Sequence, residues 1–352
     1  AGRDMKQLPV IAGKQGRAGR LTLNRPEALH ALNADMVALI TDALITWQAD
    51  EDVDLVVVDH AEGTRGFCAG GDVRMLAESG KGSGREADAF FAAEYQLNTL
   101  IKEYSKPYVS ILDGVTMGGG VGICVHGHFR VATANTIFAM PESGIGLFPD
   151  VGGGWFLPRL EGAIGMWLAL TGARLKGKDV LAAGIATHFV EDASGIADAL
   201  CMQGLAALEG LETSARISCY PDLNEMEACF SKSNVENIIA ALDAGSDWAK
   251  AQAEILATKS PLSLKIAHRQ LTEGALLQDF REVMAMEYRI ATRVVRTRNF
   301  IEGVRAVLID RDNKPEWDPH VLGAVSEKYV DSFFAPLGED ELAFIQKERL
   351  DG

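Results

Sequence analysis

Glu142 and Asp150 stand eight positions apart in "FAMPESGIGLFPDVGGGWFLPRL" (138–160), a stretch that otherwise, apart from Ser143 and Arg159, is made of apolar residues, prolines and glycines. Each has a plain structural reading. Glu142 follows Pro141, which restrains the residue before it and fixes the start of the next segment, so it reads as a first-turn acid complementing a helix dipole. Asp150 in "FPDVGGG" reads as a turn or cap aspartate. Together, in apolar surroundings, they read as an acid–base or nucleophile pair. Desolvation and like-charge proximity push two such carboxyls apart in pKa, so one stays ionised while the other holds a proton.

Two glycine clusters, "AGGD" (69–72) and "MGGGVG" (117–122), point to a complementary chemistry. Each follows a predicted buried strand and leads into a predicted helix. N–H groups at a helix start lack intrahelical partners and carry the positive end of the dipole. Glycine there lets a ligand approach the main chain with no Cβ in the way. Two such openings facing each other would make an oxyanion hole. One cluster alone reads as a tight turn or close packing. Neither matches G-x-G-x-x-G or a P-loop, so dinucleotide and nucleoside triphosphate binding fall away.

The chain has 352 residues, enough for one large domain with an appendage or for two domains. Its hydrophobic share of 47% and charged share of 24% are those of a globular protein. A net charge of −15 with no basic run argues against nucleic acid and anionic membranes as partners. An anionic small molecule would need a local basic patch. Cys68, Cys124, Cys201, Cys219 and Cys229 are scattered and form no C-x-x-C pair, which argues against zinc and a disulfide framework and for reduced thiols. No apolar run approaches the ~20 residues of a spanning helix. The start "AGRDMKQLPV" lacks a signal-peptide core, and Ala1 to Asp4 read as a remnant of processing. The expectation is a soluble intracellular protein, cytoplasmic in a bacterium or in the mitochondrial matrix of a eukaryote.

Strands and helices alternate through the first two-thirds. "LPVIAG" and "GRLTLNR" read as a strand pair, and "ADMVALITDALITWQAD" has helical spacing of its apolar residues. "VDLVVVDH" and "KPYVSILDG" are strands buried on both faces. "GTRGFCAGGDVRML" is a loop turning into a helix with Asp72 as cap, and "EADAFFAAEYQLNTLIKEY" is a long helix. "GGGVGICVHGH" starts another helix, and "FRVATANTIFAM" gives two short strands whose Phe138 and Met140 belong to the core. His126 and His128 flank a helix end and read as capping or packing residues. This tempo indicates an α/β layered core. From about Ala193 the segments "SNVENIIAALDAG", "DWAKAQAEILATKS", "SLKIAHRQLTEGA" and "FREVMAMEYRIATRVVR" are all helical. The expected units are therefore 1–192 and a mostly helical 193–352.

At these residues the sequence resembles the crotonase (enoyl-CoA hydratase/isomerase) superfamily, through "LTLNRPEALHALN", "RGFCAGGDVRML", "GVTMGGGVGICVHG" and "MPESGIGLFPDVGGGWFLPRL". The match runs from roughly Leu8 to Val190. It implies a spiral of ββα turns holding an acyl-CoA, with the thioester oxygen bound by the N–H groups of Gly71 and Gly119 and with Gly70 and Asp72 beside the substrate. CoA comes as part of the substrate, and no metal or redox cofactor is implied. Arg74, after the same loop, is the candidate phosphate contact, with an exposed helix arginine as the other reading. Many relatives carry lysine where Glu27 stands, so the nucleotide end is held differently here.

Family hydratases place one glutamate where this chain has Gly122 and a second where it has Glu142, while Asp150 stands where they usually carry glycine. "MPE…GLFPDVGGG", "FLPRL" and "GVRAVLIDRD" are similar to the branch of the superfamily that cleaves 3-hydroxyisobutyryl-CoA in valine breakdown. "SPLSLKIAHRQL" and "MEYRIATR" carry that similarity to about residue 318. In that branch the acid equivalent to Glu94 lines the acyl pocket; a solvated helix face is its other reading. The resemblance implies thioester hydrolysis, with Glu142 as nucleophile or general base and Asp150 holding the water. A hydratase or isomerase working from Glu142 alone, and a non-catalytic acyl-CoA-binding protein, are the competing readings. A homo-oligomer is left open.

Overall fold

The computed structural model describes residues 4–218 and 222–345, so Cys219 and Ala1 to Arg3 lie outside the described residues. Nine strands follow in order: β1 (Val10–Gln15), β2 (Ala18–Leu23), β3 (Leu55–His60), β4 (Tyr108–Leu112), β5 (Val115–Met117), β6 (Phe129–Ala132), β7 (Ile137–Ala139), β8 (Leu175–Lys176) and β9 (His188–Phe189). A six-stranded sheet has the order β1-β2-β3-β4-β6-β9, antiparallel at the β1–β2 hairpin and parallel beyond it. A second, three-stranded sheet has the order β5-β7-β8. All but the last residue of β3, and every residue of β4, is buried, as strands covered on both faces require.

The helices of the α/β part are α1 (Ala34–Gln48), α2 (Val73–Lys81), α3 (Arg85–Lys102), α4 (Gly119–Gly122), α5 (Gly153–Phe156), α6 (Ile164–Thr171) and α7 (Lys178–Ala182). Asn33 caps α1 by accepting from Met36 N, and its apolar stripe of Met36, Ile40, Leu44 and Trp47 faces the core. Asp72 caps α2, as expected, accepting from Met75 N. Beyond them come α8 (Ile196–Gln203), α9 (Leu223–Phe230), α10 (Val235–Asp243), α11 (Asp247–Leu256), α12 (Pro261–Gly274), α13 (Phe280–Val294), α14 (Arg298–Val304) and α15 (Glu327–Phe334). The change to helix after about 193 is a change of secondary structure: one buried apolar cluster draws on residues from both sides of that point. In particular α13 packs along α3, and α12 along α5.

Two loops carry the glycine clusters into contact. The 66–71 loop is lashed to β5 by a bridge between Cys68 and Thr116 and to Leu32 by a bridge at Gly71. Met117 N donates to Cys68 O at 3.1 Å, and Leu32 N to Gly70 O at 2.8 Å. The approach is so close that a Cβ on Gly120 would sit 2.1 Å from the Cys68 carbonyl oxygen, a backbone atom that cannot swing aside. Gly120→Ala is therefore expected to destabilise by about 2 kcal/mol or more, the upper part of the overpacking range. Gly13→Ala, where nothing lies within 4 Å of the added carbon, is the control. Urea unfolding midpoints of the two variants check this, and equal midpoints would contradict the packing described.

Candidate active site

Between the glycine loops, α3 and the 139–150 segment lies a cavity of about 500 Å³, lined among others by Gly70, Gly71, Glu94, Gly119, Glu142 and Asp150. Gly118 at φ 50° and Gly70 at φ 129° adopt backbone conformations that favour glycine and turn their loops toward each other. Gly119 opens α4, so its N–H has no intrahelical acceptor. A Cβ there would lie 3.3 Å from the Gly70 carbonyl and 2.9 Å from Glu94 Oε2. A Cβ on Gly118 would lie 3.1 Å from Glu142 Oε1. Main chain and carboxylates thus meet at one spot.

The three acids reach the cavity from different elements and are all buried. Glu94 lies on the inner face of α3 with Phe90 and Phe91. Glu142 opens a short 3-10 turn (Glu142–Ile145) after Pro141, and its Oε2 has no hydrogen-bond partner among the described residues. Asp150 ends the 146–150 segment, and its Oδ2 accepts from the Tyr95 hydroxyl at 2.6 Å. Burial holds the Glu142 carboxyl well above the usual range, and the Asp150 charge pushes it the same way. Glu94 is held up by burial and then by the charges of Asp150 and Glu142. Burial lifts Asp150 to about 6, with the Tyr95 hydrogen bond pulling it down.

Of the expected site residues, Gly70, Gly71, Glu94, Gly119, Glu142 and Asp150 all line this cavity, whereas Asp72 and Arg74 do not. Asp72 is engaged as the cap of α2. Arg74 donates to the Leu308 carbonyl at 2.7 Å, tying α2 to a π-helical turn (Arg305–Ile309) whose Val307 and Leu308 line the cavity. The cations that do line it are Arg174 and Lys259, the latter held low by burial. Sequence reasoning passed over these two, and Tyr95. Tyr95 follows Glu94 on a helix face otherwise bearing Phe90, Phe91 and Leu97, and a polar group repeating inside an apolar stripe was the available signal. His126 packs as expected, donating through Nε2 to the Val151 carbonyl at 2.7 Å. Among the described residues no group of three or more His, Cys, Asp or Glu side chains is arranged to hold a metal ion.

A family model described as enoyl-CoA hydratase/isomerase matches residues 18–334. The chain belongs to the enoyl-CoA hydratase/isomerase family. Two curated family members named as mitochondrial 3-hydroxyisobutyryl-CoA hydrolases are similar to it. The one from Xenopus tropicalis is 47% identical, covering 96% of this chain and 91% of that protein. The one from Homo sapiens is 45% identical, covering 95% and 90%. A solved family structure described as a carnitinyl-CoA dehydratase from Mycobacterium thermoresistibile superposes with a TM-score of 0.89 at 39% identity, covering 96% of this chain and 98% of that one. A Rhodobacter sphaeroides structure described as an enoyl-CoA hydratase gives 0.85 at 37% identity, covering 96% and 100%. The α/β core and helical C-terminal region are thus those of the family.

Gly122, where the resemblance places a glutamate in family hydratases, has no room for one. A Cβ there would lie 2.6 Å from Val151 Cβ and 2.7 Å from Asn98 Nδ2. Asn98 is held in place by donating to the Gly122 carbonyl at 3.1 Å. Val151 sits at φ 52°, a strained conformation for a β-branched residue that costs about 1–3 kcal/mol. The turn that presents Asp150 thereby puts an apolar side chain over Gly122. The protein should hydrate crotonyl-CoA at no more than a trace rate, and Gly122→Glu should lose stability without gaining that activity. Loss of the conjugated absorbance at a rate comparable to thiol release, in either protein, would show this reading of the site to be wrong.

Proposed function

We propose that this chain hydrolyses 3-hydroxyisobutyryl-CoA to 3-hydroxyisobutyrate and CoA. The observation that carries the proposal is a pair of buried carboxyls, Glu142 and Asp150, on one cavity with glycine amides, while the position over Gly122 is closed to a further acid. Relatives at about 45% identity over nearly the whole chain are named for this hydrolysis. The dehydratase and hydratase descriptions of two similar structures favour a second reading, lyase chemistry from Glu142; the filled space at Gly122 supports hydrolysis over it.

In this reading the thioester oxygen rests on the N–H groups of Gly71 and Gly119, which stabilise the charge it gains. The Glu142 carboxylate attacks the carbonyl carbon, the C–S bond breaks, and CoA leaves as thiolate, giving a mixed anhydride. Asp150, kept in place by Tyr95, then takes a proton from a water that attacks the Glu142 carboxyl carbon of the anhydride. The bond from that carbon to the bridging oxygen breaks, the acid leaves with that oxygen, and Glu142 is restored with the oxygen of the water. Glu94 borders the acyl group, and Lys259 and Arg174 are the cavity cations available to the anionic part of the substrate. Among the described residues no helix is long and apolar enough to cross a membrane. The relatives are named mitochondrial; for this chain we keep the cytoplasm of a bacterium or the matrix of a eukaryote.

The two acids should separate kinetically. Glu142→Gln is expected to release no CoA, and Asp150→Asn to release about one equivalent per site and then stall. Single turnover in oxygen-18 water should leave the label in Glu142 and not in the product. Label wholly in the first-turnover acid would overturn attack of water on the Glu142 carbon; together with no CoA burst in Asp150→Asn it would make Glu142 a general base and end the anhydride scheme. The pH dependence follows from the sign of the shifts. Both acids act ionised, and burial raises both, so lowering pH protonates them sooner than free carboxyls, which titrate at about 4. The acid limb of kcat is expected at or above about pH 6, the value to which Asp150 is lifted. A limb near 4 would show that neither titrates in the rate-limiting step.

A further inference from the structure

The turn that presents Asp150 is bent against its own preference. Val151 and Gly152 stand in succession at φ 52° and 86°. A valine does not hold that conformation unless its surroundings impose it. The hydrogen bonds that impose it come largely from the helical C-terminal region. Glu287, on α13 and fully buried, accepts from Gly152 N through Oε1 at 2.8 Å and from Gly154 N through Oε2 at 2.9 Å. Gln270, on α12, donates from Nε2 to the Pro149 carbonyl at 2.8 Å and to Glu287 Oε2 at 3.2 Å. Pro149, Gly152 and Gly154 are thus held from one side, and His126 holds the Val151 carbonyl from another. Glu287 does not line the cavity itself.

We propose that Glu287 is a positioning residue for the hydrolysis: clamped on the amides of Gly152 and Gly154, it fixes the 149–154 turn and with it the direction of the Asp150 carboxyl. This rests on the reading in which Asp150 serves the water-dependent second step. A carboxyl is suited to the task because both of its oxygens accept. An amide in its place has one oxygen and one NH2, so either Gly152 N–H or Gly154 N–H would face a donor. Glutamine at 287 would keep the volume and lose the clamp. The turn would relax toward conformations valine prefers, and Asp150 would move off the water it must deprotonate. A misplacement of about 1 Å costs on the order of a hundredfold in rate.

The test follows thiol release from the substrate in the full-length protein and in Glu287→Gln, Gln270→Met and Asp150→Asn, with the folded fraction of each measured by unfolding transitions. Glu287→Gln is expected to give a CoA burst near one equivalent per folded site at little-changed rate, followed by a steady phase slower by about a hundredfold. Gln270→Met, which removes the bond to Pro149 and one to Glu287, should show the same pattern more weakly. A clamp serving stability alone would lower the unfolding midpoint and leave both phases normal per folded molecule, which overturns the proposal. So does equal slowing of both phases. If Glu287→Gln does not fold, a normal steady phase in Gln270→Met overturns it and a selectively slowed one supports it. Asp150→Asn tests the underlying reading separately. If it shows no burst, the two-step scheme fails. The positioning role is then supported if Glu287→Gln reproduces the kcat defect of Asp150→Asn at unchanged KM, and overturned if it does not.

Discussion

Glu94, Glu142, Asp150 and Glu287 are withdrawn from water together within the packed interior, and burial disfavours the charged form of each unless donors offset it. The supply is uneven. Glu287 receives two backbone N–H groups and an amide, and Asp150 one phenol. Glu142 keeps an oxygen with no partner among the described residues. The Glu142 carboxyl, beside the glycine loops, is thus less satisfied by the protein than that of Glu287. Glu287 is fully buried, and burial lifts it to about 8 against its three donors.

The same constraint explains why two glycine loops must approach so closely. Glycine leaves the main chain open to a group that approaches it, and the loops pack against each other with no slack at Gly120. The Asp150 turn is built in the opposite manner. It spends backbone strain at Val151, and that strain both directs the carboxyl and fills the space over Gly122. One local conformation therefore adds an acid to the cavity and closes the position where the resemblance places a glutamate in family hydratases. The C-terminal helices take part in this directly, since α12 and α13 hold the turn.

Much of this was legible in the chain. The β1–β2 pair, β3, β4, β6, β7, the helices α1 to α4 and the helical C-terminal region follow from periodicity, caps and β-branched runs. The strands β5, β8 and β9 were not legible: β8 and β9 are two residues each, and β5 is three residues running straight into the glycine cluster, so pairing with neighbours is what makes them strands. Glu142 and Asp150 stood out because acids are rare among apolar residues, prolines and glycines. Glu287 did not, because in a helix such as "FREVMAMEYRIATRV" an acid is ordinary until the helix is seen to turn that face inward.

The sequence by itself determined the chemistry available: which carboxyls, which glycines, and the absence of an acid at Gly122. Those follow from residue identity and order, which folding does not change. Tertiary structure alone decided which of these groups meet. Asp72 and Arg74 neighbour the AGGD loop in sequence, yet helix α2 carries one into a cap and the other onto the Leu308 carbonyl. Tyr95, Val151 and Glu287 lie far apart along the chain, yet all act on the turn that holds Asp150. The direction of a side chain depends on backbone torsions and on long-range donors, and neither is written in local sequence.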